Sequence, residues 1–379
     1  MMRSIIAATG WALLLAACTG GGTATQEPEP LQGEASEPLQ ELTAAVGATL
    51  PYVEQEAETA ATNGTILSSR VWRTLAYEAS GRKAVQLVGQ GKFVEFTLTA
   101  PANAVDFRYS IPDAAGGGGV GASPTAYNAT ISLYVNGTKL GTLPLTSLYT
   151  WRYGAYQFVN NPTNNPFHLY DDSRTWLGSN LPIGAKVRLQ VDAGDSSPWY
   201  LIDLADFEQV ADPIAQPAGS ASVVAFGADP TGVADSAPAF DAAIAANHGK
   251  VVWIPRGAYR ITRHIIVNNV TLAGAGPWYS ILQGLGVGVY GNYTPANGGP
   301  GASTNVTLKD FAMFGETTSR VDDDQVNGIG GALSNSTVSN VWIEHTKVGA
   351  WMDGPMDKLT FTGCRFKNLY ADGLNFHRG

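Results

Sequence analysis

The chain has 379 residues, with 23 Lys and Arg against 32 Asp and Glu, a net charge of −9. At about 100–200 residues per domain there is room for roughly two domains. The acidic balance, with no basic block, argues against nucleic acid and against anionic membrane surfaces as partners. Two cysteines exclude a disulfide framework and a Cys-rich zinc site, and 44 Gly with 21 Pro favour turns and strands over a helix bundle.

Residues 1–18 read as an export signal. Arg3 precedes an apolar run from Ile5 to Ala17 that is too short to span a bilayer. The run ends in Leu15-Ala16-Ala17-Cys18, followed by Thr19 and the glycines 20–22. This order resembles the lipobox of bacterial lipoproteins. The competing reading is an ordinary signal peptide with a cysteine there by chance. The resemblance implies lipidation of Cys18, and so contact with a membrane through a lipid anchor. It places the protein at the bacterial cell envelope, with the outer membrane expected because Thr19 is not Asp; cleavage as an ordinary signal would leave it extracellular. Residues 19–50 have few apolar side chains and read as a flexible tether.

Residues 51–212 read as an all-β module. Runs such as Phe93–Leu98, Val105–Tyr109, Ile131–Val135 and Val187–Val191 alternate with period two, the mark of half-buried strands, and Asn136-Gly137 is a hairpin turn. Short strands with turns between them predict a β-sandwich. Glu54–Glu58, Ala79–Val85, Val94–Phe96, Ser132–Gly137 and Ile202–Glu208 occur in an order that resembles carbohydrate-binding modules of families 6 and 35. That resemblance implies a galactose-binding-like sandwich with a structural Ca²⁺ held by Glu56, Glu58 and Asp206, oxygen donors that suit a hard cation. The alternative is that these are solvated carboxylates at strand edges. Trp151, Tyr153, Tyr156 and Trp199 are candidate sugar platforms, with Asn160 and Asn161 as amide donors; for each aromatic, a place in the core competes.

Residues 213–222, small and Pro-bearing, read as a linker. In residues 223–379 the opening Val223–Gly232, an amphipathic stretch Ser236–Ala246 with its N-cap at Asp235 or Ser236, and the strands Val251–Pro255 and Gly257–Ile261 resemble the cap and first coil of pectate-lyase-like proteins. The implied fold is a right-handed parallel β-helix. A repeat supports it: apolar-x-x-apolar-x-apolar occurs at Val267/Val270/Leu272, Leu308/Phe311/Met313, Val338/Val341/Ile343 and Phe361/Cys364/Phe366. A unit that cannot bury its own face, repeated, is a solenoid. Cys364 takes an apolar position of the repeat and reads as a core residue.

The five histidines show no ligand spacing and no Gly-x-Ser-x-Gly elbow occurs, so carboxylates remain as the chemistry. Asp322–Asp324 sits in an inserted loop and reads as solvated. Residues 322–327, Asn340–His345, Gly349–Gly354 and Ala371–His377 resemble glycoside hydrolase family 87, the α-1,3-glucanases (mutanases) and mycodextranases. The family implies an inverting carboxylate mechanism without a cofactor, acting on α-1,3-linked glucan such as mutan or nigeran. Inversion needs an acid and a base about 6.5–9.5 Å apart, leaving room for water. Asp372, in Asp372-Gly373-Leu374-Asn375, matches one family carboxylate, and a β-turn Asp is the competing reading. The family's Asp-Asp pair one coil downstream has no counterpart before Gly379, so the chain is expected to be a fragment, binding sugar without hydrolysing it. Trp351, Asp353 and His377 are candidate subsite residues. Three alternatives stand: a non-catalytic polysaccharide-binding lipoprotein; a pectin-active β-helix enzyme, which the scarcity of Lys and Arg after residue 300 disfavours; and a phage-tailspike-like protein, whose trimer-forming segments are not visible in the sequence.

Overall fold

Period-two alternation builds the first half as two facing antiparallel sheets. In the computed structural model, which describes residues 50–377 apart from 114–126, 153–166, 293–300 and 318–325, one sheet contains Asp171–Leu181, Ala102–Ser110, Tyr200–Glu208, Lys83–Leu87 and Thr65–Ser68, with Tyr52–Glu56 also on Tyr200–Glu208. The other runs Ala61–Thr62, Phe93–Thr97, Lys186–Gln190, Asn128–Val135, Thr138–Thr146. Their inner faces share one core, in which Phe96, Phe107 and Phe207 meet edge to face or tilted. Asn136 and Gly137 both have positive φ, 49° and 80°, as a tight hairpin turn requires.

The second half is a parallel β-helix. One ladder stacks Val251–Ile254, Val270–Gly274, the start of Val306–Phe314, the start of Thr337–Glu344 and Thr360–Thr362. A second stacks Gly257–Arg260, Ser280–Gln283, the ends of the same two long strands and Arg365–Lys367. A third stacks Ile265–Val267, Val289–Gly291, Ile329–Gly331, Ala350–Asp353 and Leu374–His377. The repeat lies in register where expected for the last three copies: Leu308 faces Val338, which faces Phe361, and Met313 faces Ile343, which faces Phe366. The first copy is displaced. Leu272 faces Leu308, but it is Leu282 that faces Met313, while Val267 belongs to the third ladder opposite Gly291. Residues 275–279, including Trp278, separate Leu272 from Leu282 and break the short spacing.

Coil corners are made by residues that tolerate left-handed backbone. Asn269, Asn305 and Asn335 open successive coils with φ of 46°, 56° and 47°. Asp310 and Asn340 form the next corner, and the Asn340 amide donates to Asp310 Oδ1 at 2.8 Å. The helix Ala237–Ala246 closes one end, burying Phe240 and Ile244 in the coil core, with Ser236 at its N-cap position and Asp235 accepting from the Ala237 N–H. The linker is shorter than its composition suggests: Ala221–Ser222 already pairs with Val252 and Trp253 as the first rung.

The described residues pack as one unit. The outer face of the six-stranded sheet is not solvated; it lies on the second ladder of the β-helix. Ala104 and Trp176 from the sheet meet Trp278, Tyr279, Ala312, Phe314 and Trp342 from the coils. Among the described residues, no helix is long and apolar enough to cross a membrane.

Candidate active site

Asp372 lies in the turn that leads into the last strand of the third ladder, Leu374–His377. Alternation along that ladder buries Ala350 and Met352 and turns Trp351 and Asp353 outward, and the pairs Trp351–Asn375 and Asp353–His377 follow from the register. The Trp351 and His377 rings stack with centroids 4.6 Å apart and planes 20° from parallel. Asp372 is exposed, and its Oδ2 accepts a hydrogen bond from Asn375 Nδ2 at 2.8 Å. One coil back, Gly330 is opposite Trp351 and Tyr290 opposite Gly330. A Cβ on Gly330 would sit 2.3 Å from the Tyr290 ring, so only glycine lets that ring lie across the ladder. The row therefore carries the buried Tyr290, a gap at Gly330, the half-buried Trp351 and then Asn375, which holds the Asp372 carboxylate, so that Trp351 and His377 offer the aromatic surface suited to a sugar ring with one apolar face.

On the other side of Asp372 a cavity of about 380 Å³ opens between the two halves. Glu78, Arg108, Tyr149 and Tyr170 line it from the first half, and Asn368, Tyr370 and Asp372 from the second. Its walls are held from behind. Tyr149 stacks on His345 with centroids 3.6 Å apart. His345 Nε2 lies 2.7 Å from Asp171 Oδ1, and Asn368 Nδ2 donates to Asp171 Oδ1 at 3.0 Å and to Asp172 Oδ2 at 2.5 Å. His345 and Asn368 both stand at coil corners with left-handed backbone, φ 54° and 50°. The Arg108 guanidinium pairs with the buried Asp203 and lies over the Tyr170 ring. Burial raises the Asp203 carboxyl to about 7 against the pull of Arg108.

Next to this wall runs a buried charge cluster. Lys367 Nζ is 2.7 Å from Asp106, 3.0 Å from Asp172 and 3.6 Å from Asp206. Arg365 pairs with Glu208 at 2.6 Å. Burial opposes the Lys367 charge, but the surrounding carboxylates hold its ammonium protonated well above the ordinary range. Glu344 beside them is raised to about 8, first by burial and then by repulsion from Asp106 and Asp172. Burial works against the His345 imidazolium, yet the Asp171 charge and hydrogen bond lift it above its ordinary value.

The other expected site residues fall differently. Trp151 is buried: its Nε1 donates to the Ile111 carbonyl at 2.8 Å and its ring packs on His168 and Trp199, so it is core and not a sugar platform. The structure also separates the expected Ca²⁺ ligands. The register sets Glu54, not Glu56, opposite Asp206, and Asp206 is drawn into the Lys367 cluster with its carboxyl raised by burial to about 7. Glu56 instead accepts from Ser80 Oγ at 2.5 Å. One carboxylate oxygen each of Glu56 and Glu58 is buried without a hydrogen-bond partner. Among the described residues no group of three or more His, Cys, Asp or Glu stands where it could hold a metal ion. Tyr153, Tyr156, Asn160, Asn161, Asp322–Asp324 and Cys18 lie outside the described residues. Cys364 is half-buried against the coil core. Sequence reasoning missed Tyr149, Arg108 and Tyr170; the cavity joins segments from Glu78 to Asp372, and no local pattern links them.

Comparison with known proteins identifies the family. The family model "alpha-1,3-glucanase catalytic domain D1" matches residues 49–210, and the model for catalytic domain D2 matches 233–379. The first half is thus described in the family as part of a catalytic unit. The catalytic unit of a thermostable family 87 α-1,3-glucanase from Streptomyces thermodiastaticus is 42% identical, with a TM-score of 0.74 over 86% of this chain and 56% of that one. The Agl-KA catalytic domain is 25% identical, with a TM-score of 0.76 over 87% of this chain and 64% of that one. A family 87 α-1,3-glucanase catalytic domain in complex with nigerose is 29% identical, with a TM-score of 0.72 over 87% of this chain and 58% of that one. The chain therefore spans somewhat under two thirds of each of these structures. No curated protein matches the sequence.

Proposed function

We propose that this chain, which belongs to glycoside hydrolase family 87, is exported and hydrolyses α-1,3-linked glucan. The observation that carries this reading is Asp372, exposed in a family-matched turn, held by Asn375, beside the outward stack of Trp351 and His377. Aromatic faces receive the apolar faces of glucose rings, and a carboxylate at the edge of that platform is where proton transfer to or from the reacting centre is needed. In an inverting mechanism Asp372 acts with a second carboxyl group, the two spaced to admit the attacking water. The relative solved with nigerose supports a substrate of α-1,3-linked glucose.

A pectin-active reading is less well supported. Uronates call for unpaired cations, whereas the cavity and outward row carry Glu78, Asp353 and Asp372, and the Arg108 charge is taken by Asp203. Export through the N-terminal signal, with Cys18 lipidated, would bring the enzyme to an extracellular glucan. The test is reducing-sugar release from insoluble α-1,3-glucan against pectin. Release from the glucan, lost in Asp372→Asn, supports the reading; release from pectin alone, or unaltered release by the variant, overturns it.

A further inference from the structure

We infer that the cavity between the two halves is a glucan subsite, so that the antiparallel half takes part directly in holding substrate. This rests on the glucanase reading above. The cavity adjoins Asp372 on the side of the turn that carries Asn368–Ala371, while the Trp351–His377 stack lies on the side of the strand that follows. A glucan chain crossing Asp372 from the stack therefore runs into the cavity.

The lining fits neutral sugar. About 380 Å³ is room for one or two hexose rings, within the usual range for small-molecule sites. Tyr149, Tyr170 and Tyr370 offer aromatic surface, and Glu78, Asp372 and the amide oxygen of Asn368 offer acceptors for hydroxyl groups. One face of Tyr149 lies flat on His345, so the cavity meets its opposite face or its edge. The walls are also fixed in advance. The Tyr170 hydroxyl donates to the Leu75 carbonyl at 2.6 Å, Arg108 is clamped by Asp203, and Asn368 by Asp171 and Asp172. A site whose side chains are already ordered loses less entropy on binding. The two carboxylates on the rim, Glu78 and Asp372, set the charge against acidic sugars.

The test is calorimetric titration of the protein with nigerose and with an α-1,3-linked tetrasaccharide, in the unaltered chain, Tyr149→Ala, Tyr149→Phe, Glu78→Gln and Trp351→Ala. Because Tyr149→Ala also removes the stack on His345, each variant is first compared by thermal melting. Tyr149→Phe keeps the stack and Glu78→Gln alters only an exposed group. The inference expects tetrasaccharide affinity to fall about tenfold in Tyr149→Ala, the scale of one lost aromatic platform, with a smaller fall in Glu78→Gln and Tyr149→Phe. Nigerose should respond to Trp351→Ala more than to any cavity variant. Tetrasaccharide binding that depends on Trp351 but is untouched by all three cavity variants overturns the subsite and leaves the glucanase reading standing. Absence of tetrasaccharide binding by the unaltered chain overturns both.

Discussion

Asp171, on a strand of the antiparallel half, is the common acceptor for His345 and Asn368, two left-handed corner residues of successive coils in the β-helix. One carboxylate thus fixes both the backing of Tyr149 and the start of the turn that reaches Asp372. Asp171→Ala would leave the half-buried His345 and Asn368 without that acceptor, and it is Asp171 itself that is buried. Losing one partner of a buried charged pair costs about 3–5 kcal/mol. Urea unfolding should show a loss of that order, with Asp171→Asn losing less because an amide oxygen still accepts from Asn368.

Lys367 holds together carboxylates that would otherwise repel. Lys367→Met removes the cation from Asp106, Asp172 and Asp206 at once. We expect a destabilisation at least as large as that of Asp171→Ala, partly recovered by the added change Asp106→Asn. Additive losses in that double variant would argue that the cluster is not coupled.

The buried acids give stability a direction in pH. Glu344 is raised from 4.5 to about 8, and Asp203 and Asp206 from 3.8 to about 7. The native protein then holds protons that the unfolded chain has released. Their contribution is complete below about pH 4, declines as pH rises, and is lost above about pH 8. His345, also raised, acts in the same sense. Unfolding midpoints should therefore fall between about pH 5 and pH 9. Glu344→Gln, which is permanently neutral, should flatten the fall and be the more stable form at the alkaline end. An equally steep profile in that variant would remove Glu344 from the explanation.

Trp342 is enclosed at the seam among Trp278, Phe314 and the cations Arg174, Arg365 and Lys367. Truncation to Ala should cost about 3–5 kcal/mol, as for other fully buried large aromatics. Calorimetry should still show one transition for the unaltered chain, because the seam joins the halves into one packed unit. Two separate transitions would contradict that reading.

The coil architecture was legible because repetition survives wherever coils are close in length. Leu308, Val338 and Phe361 announce themselves by spacing, whereas Val267 misleads because the insertion around Trp278 lies inside its coil. Asp372, Trp351 and His377 stood out through a family pattern, and it is the structure that sets Trp351 and His377 on the outward phase of their strands. The seam was not. In a strand such as Arg365-Phe366-Lys367, alternation shows that the charges face outward but not that another sheet covers them. For the same reason Asp206 looked like a free cation ligand, when its neighbour is Lys367 from a segment 161 residues away in sequence. Trp151 shows the converse limit: an aromatic in a polar stretch looks like a platform until its indole N–H is seen bonded to Ile111.

The most direct test is to follow the anomeric configuration of sugars released from insoluble α-1,3-glucan by NMR, comparing the unaltered protein with Asp372→Asn. The account predicts first-formed products of inverted, β configuration, and turnover that disappears in the variant while oligosaccharide binding persists. Products that retain the α configuration, or turnover that survives the loss of the Asp372 carboxylate, would contradict it.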